Sequence, residues 1–195
     1  VTNMPGTFYN CTGLVNAPVI PNGVKDMRSA FNGCSSLENA PVIPNSVTIM
    51  TSTFTNCTNL TNISAISNSV IDMRSTFDGC INLVNVPDIP DSVTDMSYTF
   101  ANCTNLTNIP TISNSVIHLS TTFYNCTNLV NIPELPNTIT NMFETFTGCN
   151  KLMGNIYITS EGNANGIVQL NNTRTSTSTT QAATANALKS AYDTV

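Results

Sequence analysis

Seven cysteines stand at Cys11, Cys34, Cys57, Cys80, Cys103, Cys126 and Cys149, each 23 residues beyond the last. A strict period of this length marks stacked repeats and rules out an ordinary globular layering of long elements. Phe8, Phe31, Phe54, Phe77, Phe100, Phe123 and Phe146 keep the same step, as do Leu14, Leu37, Leu60, Leu83, Leu106, Leu129 and Leu152. A Met column runs from Met4 to Met142, with Leu119 substituting once, and an Ile column runs from Ile20 to Ile158, with Leu135 in the sixth place. A unit carrying about six apolar columns cannot enclose them alone, so each copy covers its neighbour's apolar side. The expected fold is a repeat solenoid of seven 23-residue units. At the ~4.8 Å strand spacing, identical side chains form ladders in a rod about 34 Å long.

Within a unit, Phe follows Met by four residues and Cys follows Phe by three. That spacing predicts a short helical turn, begun by the capping oxygens of Asp26, Asp72, Asp95 or Asn141. It ends at Asn10, Gly33, Asn56, Gly79, Asn102, Asn125 and Gly148, the two residue types that adopt positive φ most easily. The Leu-x-Asn-Ile-Pro stretch then reads as a short parallel strand, stopped because proline lacks the ladder N–H.

Ladder neighbours point the same way, whereas a disulfide needs converging Cβ vectors, so Cys34, Cys57, Cys80, Cys103 and Cys126 are expected as free, buried thiols. Zinc would need paired Cys at short spacing or His partners, and neither occurs. The ladders of Phe54, Phe77 and Phe100 and of Leu60, Leu83 and Leu106 belong to the same interior. The Asn column (Asn16, Asn39, Asn62, Asn85, Asn108, Asn131) is read as an amide ladder satisfying backbone groups at a bend, with a ligand-binding polar stripe as the other reading. Matches to the glycosylation acceptor pattern, such as Asn10-Cys-Thr12, arise by chance in so Asn- and Thr-rich a repeat and carry no weight.

The string Met-x-x-Thr-Phe-x-Asn-Cys-Thr-Asn-Leu at 50–60 and 96–106, with Ile-Pro-Asn-Ser-Val at 43–47, closely resembles bacterial leucine-rich repeats of the BspA type. The resemblance covers about residues 3–158. It implies a leucine-rich-repeat solenoid and, for function, a surface or secreted protein that binds host or bacterial partners. This unit has one residue more between the ladder Leu and the second Pro, and one fewer between Met and Phe, so the corner after the strand is expected to differ from the family's. In repeats three and five that Pro is replaced by Ser67 and Ser113, a sign of duplication of a two-repeat block.

The period dissolves after Leu152. Four segments are expected: the solenoid at 3–152, a capping hairpin at 153–170 built on Ile156–Ile158 and Ile167–Leu170, a Thr/Ser linker at 171–180, and a short helix at 181–195 leading to a further segment. Ala-Thr-Ala-Asn-Ala-Leu-Lys-Ser-Ala-Tyr-Asp at 183–193 looks like modules of bacteriophage and prophage tail fibres, which often precede or join trimeric segments. Val1 begins inside a repeat, matching Val93, so further chain is expected upstream.

Charged residues are only 9% of the chain, with a net charge of −5 and no basic cluster to track a phosphate backbone, so nucleic acid is not an expected partner. No run approaches ~18 apolar residues, so membrane insertion is not expected. The catalytic inventory is thin: one histidine, His118, at a variable surface site, no nucleophile elbow, and no cofactor motif. Asp72 and Asp95 are ladder neighbours whose repulsion Arg74, or a Ca²⁺ ion, would offset. Columns that vary between units mark the surface open to recognition, and aromatic and Arg side chains are favoured anchors. The candidate contacts are Tyr9, Arg28, Arg74, Tyr98 and Tyr124, with Asp88 and Glu134 beside them. These features point to a non-catalytic binding module. It is read as host receptor recognition, of a protein or polysaccharide, by a phage or prophage tail fibre in the virion, a homotrimer if so built. A bacterial surface adhesin and a passive spacer are the other readings.

Overall fold

The computed structural model describes residues 1–152 except Ser64 and Glu134, together with the backbone of two short strands. The chain winds as a repeating series of coils in which each apolar column becomes a ladder. Met27, Phe31, Cys34, Leu37 and Val47, and their equivalents in the next four coils, lose essentially all contact with solvent, while Phe146, Cys149 and Leu152 in the last coil are half-buried. Seven phenyl rings from Phe8 to Phe146 stack with centroids 5.1–5.7 Å apart and planes within 15° of parallel. Such spacing suits offset stacking, and each buried ring contributes about 1.5–3 kcal/mol through area alone.

No helix forms among the described residues, against the expected helical turn. From Met to Cys the chain makes successive reverse turns instead, and each coil carries left-handed residues at two positions. One is the predicted Asn/Gly column, from Asn10 at φ 56° to Gly148 at φ 81°. The other is two residues after Met and had no glycine signal beyond Gly6: Ser29, Ser52, Ser75, Tyr98, Thr121 and Glu144 all lie at φ 52–60°. The reason a helix loses is visible in the hydrogen bonds. Alternate peptides turn along the stack, so the N–H groups of Met27, Ser29, Phe31 and Gly33 donate to the carbonyls of Ile49, Thr51, Thr53 and Thr55 in the next coil at 2.8–3.0 Å. The intervening N–H groups close turns inside the coil, as Ala30 N–H does on the Met27 carbonyl. An isolated segment of eight or so residues gains little from helical bonds, whereas these inter-coil bonds repeat along the whole wall. They offset the ~1–2 kcal/mol that each left-handed non-glycine residue costs.

The turn closure leaves carbonyls aimed inward, and two side-chain columns take them up. Thr53, Thr76, Thr99, Thr122 and Thr145 are buried; Thr76 Oγ1 lies 2.6 Å from the Met73 carbonyl of its own coil and 2.9 Å from the Met50 carbonyl of the coil before. Each cysteine from Cys34 to Cys149 places its thiol 3.0–3.1 Å from the Phe carbonyl of the preceding coil. All seven thiols are free, with Cys11 exposed, Cys149 half-buried and the five between buried. The thiol ladder is thus a hydrogen-bonded one as well as an apolar one.

Strand character is slighter than expected. It is reduced to single parallel bridges in two columns: Asn3, Asp26, Ile49, Asp72, Asp95, His118 and Asn141 in unbroken succession, and Asn16–Asn39–Asn62 and Asn108–Asn131 on the other side. The proline two residues after Asn16, Asn85 or Asn108 stops the second column from lengthening. The Asn column is exposed, which corrects the expected backbone-satisfying amide ladder: the amides of Asn62 and Asn108 donate only to the neighbouring Thr61 and Thr107 hydroxyls. Beyond the coils, β1 (Ile156–Ile158) pairs antiparallel with β2 (Ile167–Gln169), Tyr157 opposite Val168. The seat of this hairpin as a cap, the linker at 171–180 and the helix at 181–195 lie outside the described residues.

Candidate recognition surface

The reverse turns form one wall of the solenoid, and the candidate contacts on it come from the positions one, two and five residues after Met. Arg28 and Arg74 occupy the first position two coils apart, with side chains 58% and 53% exposed. Tyr98 stands exposed at the second, where Thr121 one coil on has the same left-handed backbone but is buried, and Tyr9 and Tyr124 share the third, five coils apart. These five candidates therefore lie on one wall without converging on one spot. Asp88 is exposed at the proline corner, away from them, and Glu134 lies outside the described residues.

The acidic column at the edge of this wall fixes the arginines. Asp26 Oδ1 accepts the Arg28 N–H at 2.9 Å, and its carboxylate takes the guanidinium at 2.7–3.1 Å. Asp72 and Arg74 repeat the arrangement with a 2.7 Å ion pair. Asp95 instead accepts from the Ser97 N–H and hydroxyl, and Asn141 from the Phe143 N–H. The side-chain oxygens expected to cap a helix thus cap a reverse turn, by the same chemistry. Hydrogen bonding from Arg28 holds Asp26 below the usual carboxylate range. Burial pushes Asp72 upward, yet the Arg74 side chain and N–H keep it low on balance. Asp72 is committed to Arg74, and among the described residues no group of three or more acidic, His or Cys side chains could hold a metal ion. The arginines are likewise neutralised, so they present planar guanidinium edges, not free charge.

A second polar line crosses the wall beside the Asn/Gly column. Asn102 Nδ2 donates to Asp78 Oδ1 at 3.0 Å, and Asn125 Nδ2 to Asn102 Oδ1 at 3.2 Å. Burial raises the Asp78 carboxyl, partly offset by Asn102. This line was not foreseen, because Asp78 and Asn102 sit in different sequence columns and meet only across the coil step. His118 takes the bridge column between Asp95 and Asn141, half-buried, and its Nδ1 has no partner among the described residues.

Residues 5–97 match the model of the BspA type leucine rich repeat region, in six copies, and residues 163–195 match that of the phage tail fibre repeat. No curated protein matches the chain. Among solved structures, the leucine rich repeat protein TpLRR of T. pallidum is 26% identical over 78% of this chain and 72% of its own, with a TM-score of 0.67. A leucine-rich repeat protein from Bacteroides ovatus is 26% identical over 73% of this chain, which spans only 43% of it, at a TM-score of 0.53. One from Eubacterium ventriosum, at 19% identity and a TM-score of 0.51 over 74% of this chain and 46% of its own, shares the fold. Ladders, coil length and these matches agree: residues 5–97 have the pattern of BspA-type leucine-rich repeats, and residues 163–195 that of the phage tail fibre repeat.

Proposed function

We propose that the chain is a non-catalytic recognition module, the rod-like, receptor-binding part of a phage or prophage tail fibre that attaches the virion to a host surface protein or polysaccharide. The observation that carries this reading is the union in one chain of a leucine-rich repeat region and a match to the phage tail fibre repeat. The solenoid offers a stiff core with variable exposed columns, the form of surface that recognition uses. Tyr9, Arg28, Arg74, Tyr98 and Tyr124 on the turn wall, with Asp88 at the proline corner, and Glu134 are the proposed contacts. The proposed organisation is a solenoid at 3–152, a cap at 153–170, a linker at 171–180 and a helix at 181–195 that joins a homotrimeric fibre.

Binding of the purified chain to host cells or their wall polysaccharide, lost in Tyr124→Ala or Arg74→Ala, is the expected result. A trimeric mass is expected alongside it. Absence of binding to any host that the phage infects refutes recognition. Binding by a monomeric chain found with an export signal and no virion genes identifies a bacterial surface adhesin instead. Deleting two repeats separates recognition from a passive spacer, because a spacer tolerates the change.

A further inference from the structure

The two positions where serine replaces the second proline behave differently. In coil three the Ser67 hydroxyl is used up: it lies 3.2 Å from Asn45 Oδ1 and 2.8 Å from Ser69 Oγ. In coil five the residue standing where Asn45 stood is Asp91, and no hydrogen bond or ion pair holds its side chain among the described residues. Ser113 Oγ accepts from the Ser115 hydroxyl at 3.1 Å and its N–H at 3.3 Å, and its own proton has no partner among the described residues. Losing the proline ring, with Leu135 replacing the usual Ile one coil on, opens a cavity of about 430 Å³ across coils four to six. Its floor is apolar, made by Ile112, Leu135 and Pro136, all buried; its rim is polar, made by Asp91, Ser113 and the Asn114 and Asn137 amides.

We infer that this cavity is a binding subsite for a neutral saccharide unit. A pyranose has one face of C–H groups and an edge of hydroxyls, which match an apolar floor and a rim holding donors and acceptors. The volume lies within the ~300–1,000 Å³ of small-molecule sites. The rim holds a carboxylate and no Lys or Arg, so a sialic acid, phosphorylated sugar or teichoic phosphate is repelled and an uncharged ring is accepted. The site is open to solvent, so one ring binds weakly, with a dissociation constant on the order of millimolar. Affinity for a surface then comes from several copies engaging a repeating polymer. The inference rests on the recognition reading above and names the ligand class for one part of the solenoid.

The test is a titration of the full chain, followed by the methyl resonances of Ile112 and Leu135, with methyl glucoside, methyl galactoside and methyl N-acetylglucosaminide. N-acetylneuraminic acid and glucose 6-phosphate serve as anionic comparisons. At least one neutral glycoside is expected to bind, with affinity falling about tenfold or more in Asp91→Ala and in Ser113→Pro. Ser113→Pro restores the residue that the same column holds at Pro21, Pro44, Pro90 and Pro136, and Ser113 N–H bonds nothing among the described residues, so the variant keeps the fold. An unchanged affinity in both variants, tighter binding of the anions, or no neutral glycoside bound overturns the assignment. If the glycosides fail while the chain still adheres to host cells, the sugar site falls and the recognition reading stands. Glycoside binding without adhesion upholds the site and removes that reading.

Discussion

Replacing Thr76 by valine removes one buried hydroxyl from the middle of the turn wall and isolates the worth of the threonine ladder. Thr76 Oγ1 approaches two carbonyls, Met73 at 2.6 Å and Met50 at 2.9 Å, but a hydroxyl has one proton to share between them. Neither carbonyl is orphaned by the change. Met73 keeps the Thr76 N–H at 3.0 Å and the Thr99 hydroxyl at 3.0 Å, and Met50 keeps the Thr53 N–H at 3.0 Å and the Thr53 hydroxyl at 2.8 Å. The penalty of ~1–3 kcal/mol for a buried unsatisfied group therefore does not apply in full, and the expected loss is that of one ordinary hydrogen bond, about 1 kcal/mol. For a chain of this size that lowers Tm by about 2–4 °C. The column itself supplies a mirror experiment, since Ala30 already lacks the hydroxyl in coil two and is buried. Ala30→Thr places a hydroxyl against the Met4 and Met27 carbonyls and is expected to raise Tm by a similar amount. Thermal unfolding by circular dichroism, with urea melts beside it, reads both. A loss above about 3 kcal/mol in Thr76→Val would mean that the redundant donors do not compensate, and no change in either variant would mean that the hydroxyls are idle.

Three other outcomes follow from the same geometry. A Cβ on Gly79, whose φ is +73°, would run into Asn56 Oδ1, so Gly79→Ala is expected to cost about 2 kcal/mol, the sum of left-handed strain and a displaced side chain. In an Asn56→Gly background the cost falls to the strain alone, and strictly additive melts would refute the contact. Burial pushes the Cys57 thiol to about 12 and raises Cys34, Cys80 and Cys103 in the same direction. These thiols keep their protons in the folded state where the unfolded chain has lost them, so their contribution is complete below the unfolded value of ~8.5 and declines as pH rises toward the folded values. Stability is therefore expected to fall above about pH 9, and a flat profile to pH 11 or so would contradict the burial of the ladder. With an aromatic disulfide reagent at neutral pH, Cys11 should react at once and Cys149 slowly, and the five buried thiols only after urea.

Much of the interior was legible because it repeats. The Met, Phe, Cys, Leu and Ile columns read directly as ladders, and the Asn/Gly column correctly marked positive φ, since those residue types carry the conformational signal themselves. The helix was misread because Met-to-Phe spacing of four is also what two consecutive reverse turns produce, and periodicity alone cannot tell them apart. The second left-handed position escaped notice for a related reason: Ser29, Tyr98 and Thr121 have no intrinsic preference for it, and it is imposed by bonds to the next coil. The threonine column shows the same limit. Its donor's role depends on where the neighbouring coil's carbonyls fall, which the sequence does not carry. The candidate contacts were drawn from columns that vary between units, and variation carries no signal of which side chains face outward or meet: Ala101 and Thr121 in those columns are buried.

The direction of the wall's hydrogen bonds adds one constraint that composition does not hold. From Met to the Asn/Gly column the axial peptides point their N–H groups toward the following coil, as Phe54, Phe77 and Phe100 do on Thr76, Thr99 and Thr122, whereas beside the bridge columns the direction reverses, as Ile71 N–H donates to the Thr48 carbonyl of the preceding coil. Each added unit therefore docks with the same polarity, and a partial unit would set donors against the wrong carbonyls. Deletion of 23 residues from one Met to the next, such as 50–72, keeps every donor facing an acceptor of the same column. It should leave a folded chain with one phenyl fewer in the stack and a Tm within a few degrees of the parent. Deletion of 22 residues moves the Phe column onto the Thr column of its neighbour, so that a ring of Phe volume must enter a space built for threonine. Overpacking on that scale costs typically ~1–3 kcal/mol at each mismatched layer, and the displaced column would repeat the cost for Met, Cys and Leu at the same junction. The one-unit deletion should melt cooperatively and the 22-residue deletion should not. Equal stability of the two would show that the columns do not set the register and that the ladder account of this solenoid is wrong.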